Sequence, residues 1–269
     1  MCVNLLVPCN EAGMNISYVI CHVSSFFIFR GVPPLTMGTG STPWMASGWF
    51  DYLDLRINGA DFHLKLLSGK EKYDSPEVRK VFAAFKQVLP YFDPAVLGTT
   101  QNQAMSDFSQ GKVAMYLLGA WAQPSVPADK QSDLAFFQFP TIDPSVPVAE
   151  EGPTDGFIAS AKTDKPNLTK KFLDYVASPQ AQSDLAASQQ GTYLPASTKA
   201  TLNLDALSKQ GKSMLESAKA ITQFYNRDAG DAQQTPADTA MTSFIAHPEN
   251  LDQILKDWDA ASAKIRATS

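Results

Sequence analysis

Two pairs of side chains in this sequence stand close enough together to suggest chemistry. Asp51 and Asp54 are three apart within Ala46–Asn58, where Trp49, Phe50, Leu53 and Ile57 recur at helical spacing, so the two carboxylates share a helix face. Such a pair can serve as acid and base in glycoside hydrolysis. On an amphipathic helix, however, that face is normally solvated. Glu150 and Glu151 adjoin on a stretch that reads as loop, where neighbouring glutamates are usually solvated charge. His22, His63 and His247 lie in unrelated contexts; His63, inside a second helix, has no sequence neighbour to work with and reads as structural or exposed. No Ser/His/Asp order with supporting motifs appears, so no catalytic residue is expected.

Cofactor chemistry finds no foothold either. Cys2, Cys9 and Cys21 match neither a Cys-x-x-Cys pair nor a zinc pattern, and His22 is a poor fourth ligand, so no metal is expected. The Gly/Ser/Thr loop after Met37 lacks both Gly-Lys-Ser/Thr and G-x-G-x-x-G, which argues against nucleotide binding. The net charge of -5 and the absence of any Lys/Arg run argue against a nucleic-acid surface. What remains are aromatic residues at loop positions. Trp121 follows the apolar run Val113–Leu118, which is flanked by Gly111 and Gly119 and too short for a buried helix. A ring just past the end of a core strand lies where α/β proteins keep their ligands. The other reading is an indole filling the gap between strand and helix.

The elements that must position these residues follow from periodicity. Strands are expected at 34–37, 113–118, 134–139, 156–161 and 221–225, alternating with many helices, which is an α/β arrangement. Ser75-Pro76-Glu77 opens a helix whose stripe of Val78, Val81, Phe82, Phe85, Val88 and Leu89 is core. Asn167–Ala177 carries Leu168, Phe172, Leu173 and Val176 on one side; Ser178-Pro179 restarts a helix that ends at Gly191. Leu251, Ile254, Leu255, Trp258 and Ile265 build a closing helix with Trp258 in the core.

Several of these stretches together resemble the bacterial extracellular solute-binding proteins of family 1, the sugar-capturing subunits of ABC importers. Phe108, Gly111, Lys112, Ala114, Met115, Gly119 and Trp121 stand at the places of a family pattern that ends in a sugar-stacking Trp. The run Trp49–Gly59 and the run Lys171–Gln182 are also typical of the family. The resemblance implies a periplasmic-binding-protein-like fold of type II and non-catalytic capture of a mono- or oligosaccharide between two lobes. It implies permease subunits as partners, a monomer, and a periplasmic or cell-surface-anchored location. Carried over residue by residue, the substrate-binding set is Trp44, Trp121, Asp155, Gly156, Tyr193, Arg227 and Asp228. Trp44 would lie on the sugar or staple its loop to the next helix. Asp155 would accept from hydroxyls or make an Asx turn. Tyr193 stands in the loop Gly191–Ala196. Arg227 would be a fork-shaped donor held by Asp228, or one half of a surface ion pair. Asn226 stands where many sugar-binding members have an acid.

The likeness begins at Gly31. Residues 1–30 differ in composition from the rest, with no basic start, and an apolar run broken by His22, Ser24 and Ser25. They read as a mis-started or frame-shifted segment, and 31–269 as mainly the carboxy-terminal lobe with hinge-crossing segments. Two further readings stand beside sugar capture: a glycan-processing enzyme using acids such as Asp51, Asp54, Glu150 or Asp155, and a non-functional fragment.

Overall fold

The computed structural model describes residues 31–188 and 193–268. Residues 1–30, with all three cysteines, and Gly191-Thr192 of the Tyr193 loop lie outside the described residues. Helices dominate. The helix expected from residue 46 begins two residues earlier, as α1, Trp44–Ile57. Gly59 then takes a φ of 82°, which a side chain would resist, and turns the chain into α2, Gly59–Leu67. Ser75 caps α3, Pro76–Val88, by accepting the Val78 amide, with Pro76 in the first turn as its sequence demands. Thr100 caps α4, Gln101–Ser109, in the same way.

Two short parallel ladders hold the sheet part. β1, Leu35–Thr36, pairs with β2, Met115–Tyr116, with Leu35 opposite Met115. β3, Ala149–Glu151, pairs with β4, Ala220–Thr222, with Glu151 opposite Thr222. The expected strands at 34–37 and 113–118 thus shrink to their centres. Residues 134–139 and 156–161 form no ladder at all. Ladder pairing appears instead at 149–151, a stretch that reads as loop. The cause is that a strand needs a partner as well as β-forming residues, and composition is silent about partners. The 221–225 strand stops at Thr222, and Tyr225 opens a short helix, α8, Tyr225–Ala229.

Between the second ladder's strands run α5, Pro166–Val176, α6, Pro179–Ser188, and α7, Ala206–Ser217. The chain closes with α9, Gln234–Ala246, and α10, Leu251–Arg266. α1, α3, α9 and α10 share one core. Phe50 meets Phe82 and Trp258, Phe82 meets Phe244, and Tyr73 stacks on Trp258 with centroids 3.8 Å apart. Trp258 is core, as its stripe requires.

α1 contradicts the amphipathic expectation. Asp51 and Asp54 are buried rather than solvated, and so is Arg56. Their face is closed by α2, β3 and α8, so it never reaches water. Glu150 is buried too, because β3 places it against α1: Arg56 Nη2 reaches its Oε1 at 2.5 Å, and Tyr52 donates to its other oxygen. The Arg56 guanidinium also donates to the carbonyls of Phe139 and Ala149. His63, read as structural or exposed and without partners, is buried and has two: Nδ1 lies 2.8 Å from Asp54 Oδ2 and Nε2 lies 3.8 Å from Asp51 Oδ1. Among the described residues no helix is long and apolar enough to cross a membrane.

Candidate functional site

The candidate site assembles where the start of α1 meets the turn after β4. Trp44, the first residue of α1, is half-buried and packs its inner edge on the core. Its ring approaches Phe224, centroids 6.1 Å apart and tilted by 34°. The Arg227 guanidinium lies over the Phe224 ring, 5.8 Å from its centroid, a cation–π arrangement. Arg227 Nη1 donates to Asp155 Oδ1 and to the Thr154 carbonyl, both at 3.0 Å. Two rings and then two charged groups therefore follow one another in a line of contacts: Trp44, Phe224, Arg227, Asp155.

Backbone contacts fix the two segments that carry this line. The Gly152 amide donates to the Thr222 carbonyl, extending the β3–β4 ladder by one bond. Beyond it the Thr154 amide donates to Gln223 Oε1 at 3.1 Å. Asp228 Oδ2 accepts the Gln223 amide at 2.9 Å. Asp228 thus holds the turn rather than Arg227; Asp155 is the acid that pairs with Arg227. Asp155 is 88% exposed along its side chain, so the pair faces water. Gly156 beside it is exposed, and a Cβ there would meet nothing within 4 Å.

Among the described residues no hydrogen bond or ring contact joins Trp121 or Tyr193 to this group. Trp121 is 39% exposed within a short 3-10 turn, Ala120–Ser125. Its indole folds back on Gly119, where an added Cβ would come within 2.6 Å of the ring, so a side chain there would have to displace the indole. The expected strand-to-loop glycine thus has a steric reason. On another side of Gly119 runs an apolar groove bounded by Phe108, Tyr116, Leu118, Leu134 and Phe136, which Trp121 does not line. Tyr193 is half-buried.

Phe224, Gln223 and Thr154 were missed by sequence reasoning. Phe224 sits in an aromatic run, ITQFYN, that reads as a strand; as a strand residue its facing could not be fixed, because the turn at 223–224 decides it.

Beneath the site the buried acids change character. Burial pushes Asp51 up to about 7, with the neighbouring His63 pulling the other way. Burial and then the Asp51 charge push the Glu151 carboxyl well above its usual range. Asp51 Oδ1 and Glu151 Oε1 are both buried without a hydrogen-bond partner. Burial works against charge on His63, but the bond to Asp54 and the nearby acids outweigh it, and its pKa is raised. No group of three or more His, Cys, Asp or Glu among the described residues is arranged to hold a metal ion.

Comparison with known proteins places this geometry. The family model described as bacterial extracellular solute-binding protein matches residues 35–216. An uncharacterized ABC transporter extracellular-binding protein of Pyrococcus horikoshii is 26% identical over 157 residues, covering 57% of this chain and 34% of its own. A probable sugar-binding periplasmic protein of Mesorhizobium japonicum is 27% identical over 121 residues, covering 43% of this chain and 28% of its own. The chain thus spans about a third of the length of the curated relatives it matches.

Solved structures agree on the fold. The bacterial solute receptor AcbH, described as exclusively preferring β-D-galactopyranose, superposes with a TM-score of 0.87 at 25% identity, covering 95% of this chain and 66% of that one. A chitin oligosaccharide binding protein superposes with a TM-score of 0.77 at 20% identity, covering 94% of this chain and 66% of its own. The architecture is the α/β periplasmic-binding-protein fold, of which this chain makes up about two thirds. With its residues 35–216 matched by the family model and its fold shared with solved members, the chain belongs to the bacterial extracellular solute-binding proteins.

Proposed function

We propose that this chain is a carbohydrate-binding component of an ABC importer, which captures a mono- or oligosaccharide without chemistry. The observation that carries this reading is the line of Trp44, Phe224, Arg227 and Asp155 at the surface. An indole or phenyl face suits the C–H face of a pyranose. The guanidinium fork and carboxylate beside it offer donors and acceptors at the ring's hydroxyl edge. The names of the Mesorhizobium relative and the solved receptors support a sugar as the ligand class. The acids considered for hydrolysis offer no matching pair at this surface: Asp51, Asp54 and Glu150 are buried, and Asp155 is engaged by Arg227. Family membership supports permease subunits as partners and a periplasmic or cell-surface location.

The ligand in this reading lies in a cleft whose second wall comes from the further chain that solved members possess. Two observations support it. The chain matches only 66% of AcbH, and α5 leaves a large apolar face open. Ile158 is 96% exposed, Phe172 is 51% exposed and meets the ring of exposed Phe157 edge-on, and Leu168 and Tyr175 flank it. We read this face as the packing surface for that further chain. One wall alone desolvates a sugar poorly, so this chain by itself binds weakly.

The test is a titration of the protein with a panel of mono- and oligosaccharides, following tryptophan fluorescence. A saturable change with one sugar class, lost in Trp44→Ala and in Arg227→Ala, supports the site. Trp121→Ala, run alongside, decides whether the exposed indole at 121 belongs to it. Retention of full affinity in both of the first two variants would remove this line of residues from the site.

A further inference from the structure

The candidate site rests on a turn, and the anchor of that turn is a carboxylate from the core. Tyr225, which follows Phe224 and opens α8, is held at both ends. Its hydroxyl meets the Tyr73 hydroxyl at 2.5 Å, and its amide donates to Asp51 Oδ2 at 3.0 Å. Asp51 comes from the middle of α1 and is buried. An acid there is costly unless its charge is compensated, and an apolar residue would fill the same space. The surroundings show what compensates it. His63 from α2 stands 3.8 Å from Asp51 Oδ1 and is itself fixed by Asp54, whose other oxygen accepts from Asn58. Glu151 from β3 also bears on Asp51, as a second acid rather than a counter-charge.

We propose that Asp51 is a positioning residue of the candidate site, its buried carboxylate fixing through the Tyr225 amide where Phe224 and Arg227 stand against Trp44. The inference rests on the carbohydrate-site reading above for its functional meaning, but not for its geometry. Phe224 is the residue before the anchored amide, and Arg227 and Asp228 both donate their amides to the Phe224 carbonyl. Releasing the Tyr225 amide therefore loosens the ring, the guanidinium fork and the Asp228 bond to Gln223 together. Trp44, at the other end of α1's first two turns, is one helix with Asp51, so the same helix supplies both the aromatic wall and the anchor of the facing turn.

The experiment compares native-state hydrogen exchange of the intact chain with Asp51→Leu and Asp51→Asn, without sugar. Leu keeps the branched skeleton, though it is bulkier, and removes the acceptor; Asn keeps the size and an acceptor oxygen. The readout is protection of the Tyr225 amide relative to the amides of Phe82 and Phe85 in α3, which report global stability. Asp51→Leu is expected to lower Tyr225 protection at least ten-fold more than α3 protection, and Asp51→Asn to restore most of the difference. Equal losses at Tyr225 and α3 in Asp51→Leu would overturn the proposal, as would a failure of Asp51→Asn to restore local protection. A parallel saccharide titration separates the two readings. If exchange behaves as expected but the wild-type chain binds no sugar, the positioning role stands and the carbohydrate reading falls. Should the wild-type chain bind, Asp51→Leu is expected to weaken affinity about ten-fold, and Asp51→Asn to do so by less than three-fold.

Discussion

The body formed by α1, α3, α9 and α10 and the arm that carries α5 and α6 begin from the same kind of sequence. Each helix stripe repeats apolar residues at three and four, and both α3 and α5 begin with a proline in the first turn. In the body every member of the α3 stripe from Val78 to Val88 is buried. In the arm no residue of α5 is buried. Periodicity states which side of a helix is apolar; it does not state whether this chain contains the surface that covers it. The difference also divides stability. The body's apolar faces are covered, whereas the arm's face lies open among the described residues.

The comparison is most easily broken by truncating rings on each side. Phe50→Ala, in the body, is expected to lower unfolding free energy by about 3–5 kcal/mol, because the ring is fully enclosed by Phe82 and Trp258. Urea denaturation followed by far-UV circular dichroism measures it. A loss below about 1 kcal/mol would mean that the body is as loosely packed as the arm.

Arg56 sharpens the contrast at the seam where α1 meets the second ladder. Arg56→Met leaves buried Glu150 without its cation and the Phe139 and Ala149 carbonyls without their donor, and is expected to cost about 3 kcal/mol. The double variant Arg56→Met, Glu150→Gln should recover a good part of that loss in the same denaturation assay, because what costs most is the stranded charge.

A smaller effect concerns pH. Asp51, Glu151 and His63 all have folded-state values above their ordinary ones. For such groups the folded state binds the proton more tightly, so their contribution is fully present below the ordinary value and is lost as pH rises through the folded one. For Asp51 that window runs from its ordinary 3.8 to about 7. Urea midpoints are therefore expected to fall between pH 5 and pH 8, and the fall to become shallower in Asp51→Asn.

The smallest expected effect is on the arm itself. Phe172→Lys should change stability by no more than about 0.5 kcal/mol, since it removes a ring that buries little. The same change should cut the fluorescence of an apolar dye bound to the protein, because the open face gathers exposed Phe157, Phe172 and Tyr175. A destabilisation of several kcal/mol would show that the face is already covered within this chain.

The helical elements were largely legible. The Ser75-Pro76 start, the Gly59 turn and the core role of Trp258 all follow from local chemistry that needs no distant partner. Strands were legible only as positions: 35–36 and 115–116 lie inside their expected runs, while LAFFQF at 134–139 has the composition of a strand and no neighbour to pair with. Of the candidate site, Trp44, Asp155, Gly156, Arg227 and Asp228 fall around one turn. Phe224, which joins them, was hidden because its side of the chain depends on a turn that residue types alone leave open.

Taken alone, the sequence determined the family pattern, the helices and their apolar faces, because each depends on residues a few positions apart. Tertiary structure alone decided that Asp51, Asp54, Glu150 and Glu151 turn inward instead of to water. Burial is set by what packs against a face. The β3 strand that carries Glu150 and Glu151 lies about a hundred residues from α1, and the Tyr225 amide that Asp51 accepts lies farther still. No local rule spans that distance; only the closed fold brings the acids, the histidine and the turn into one place.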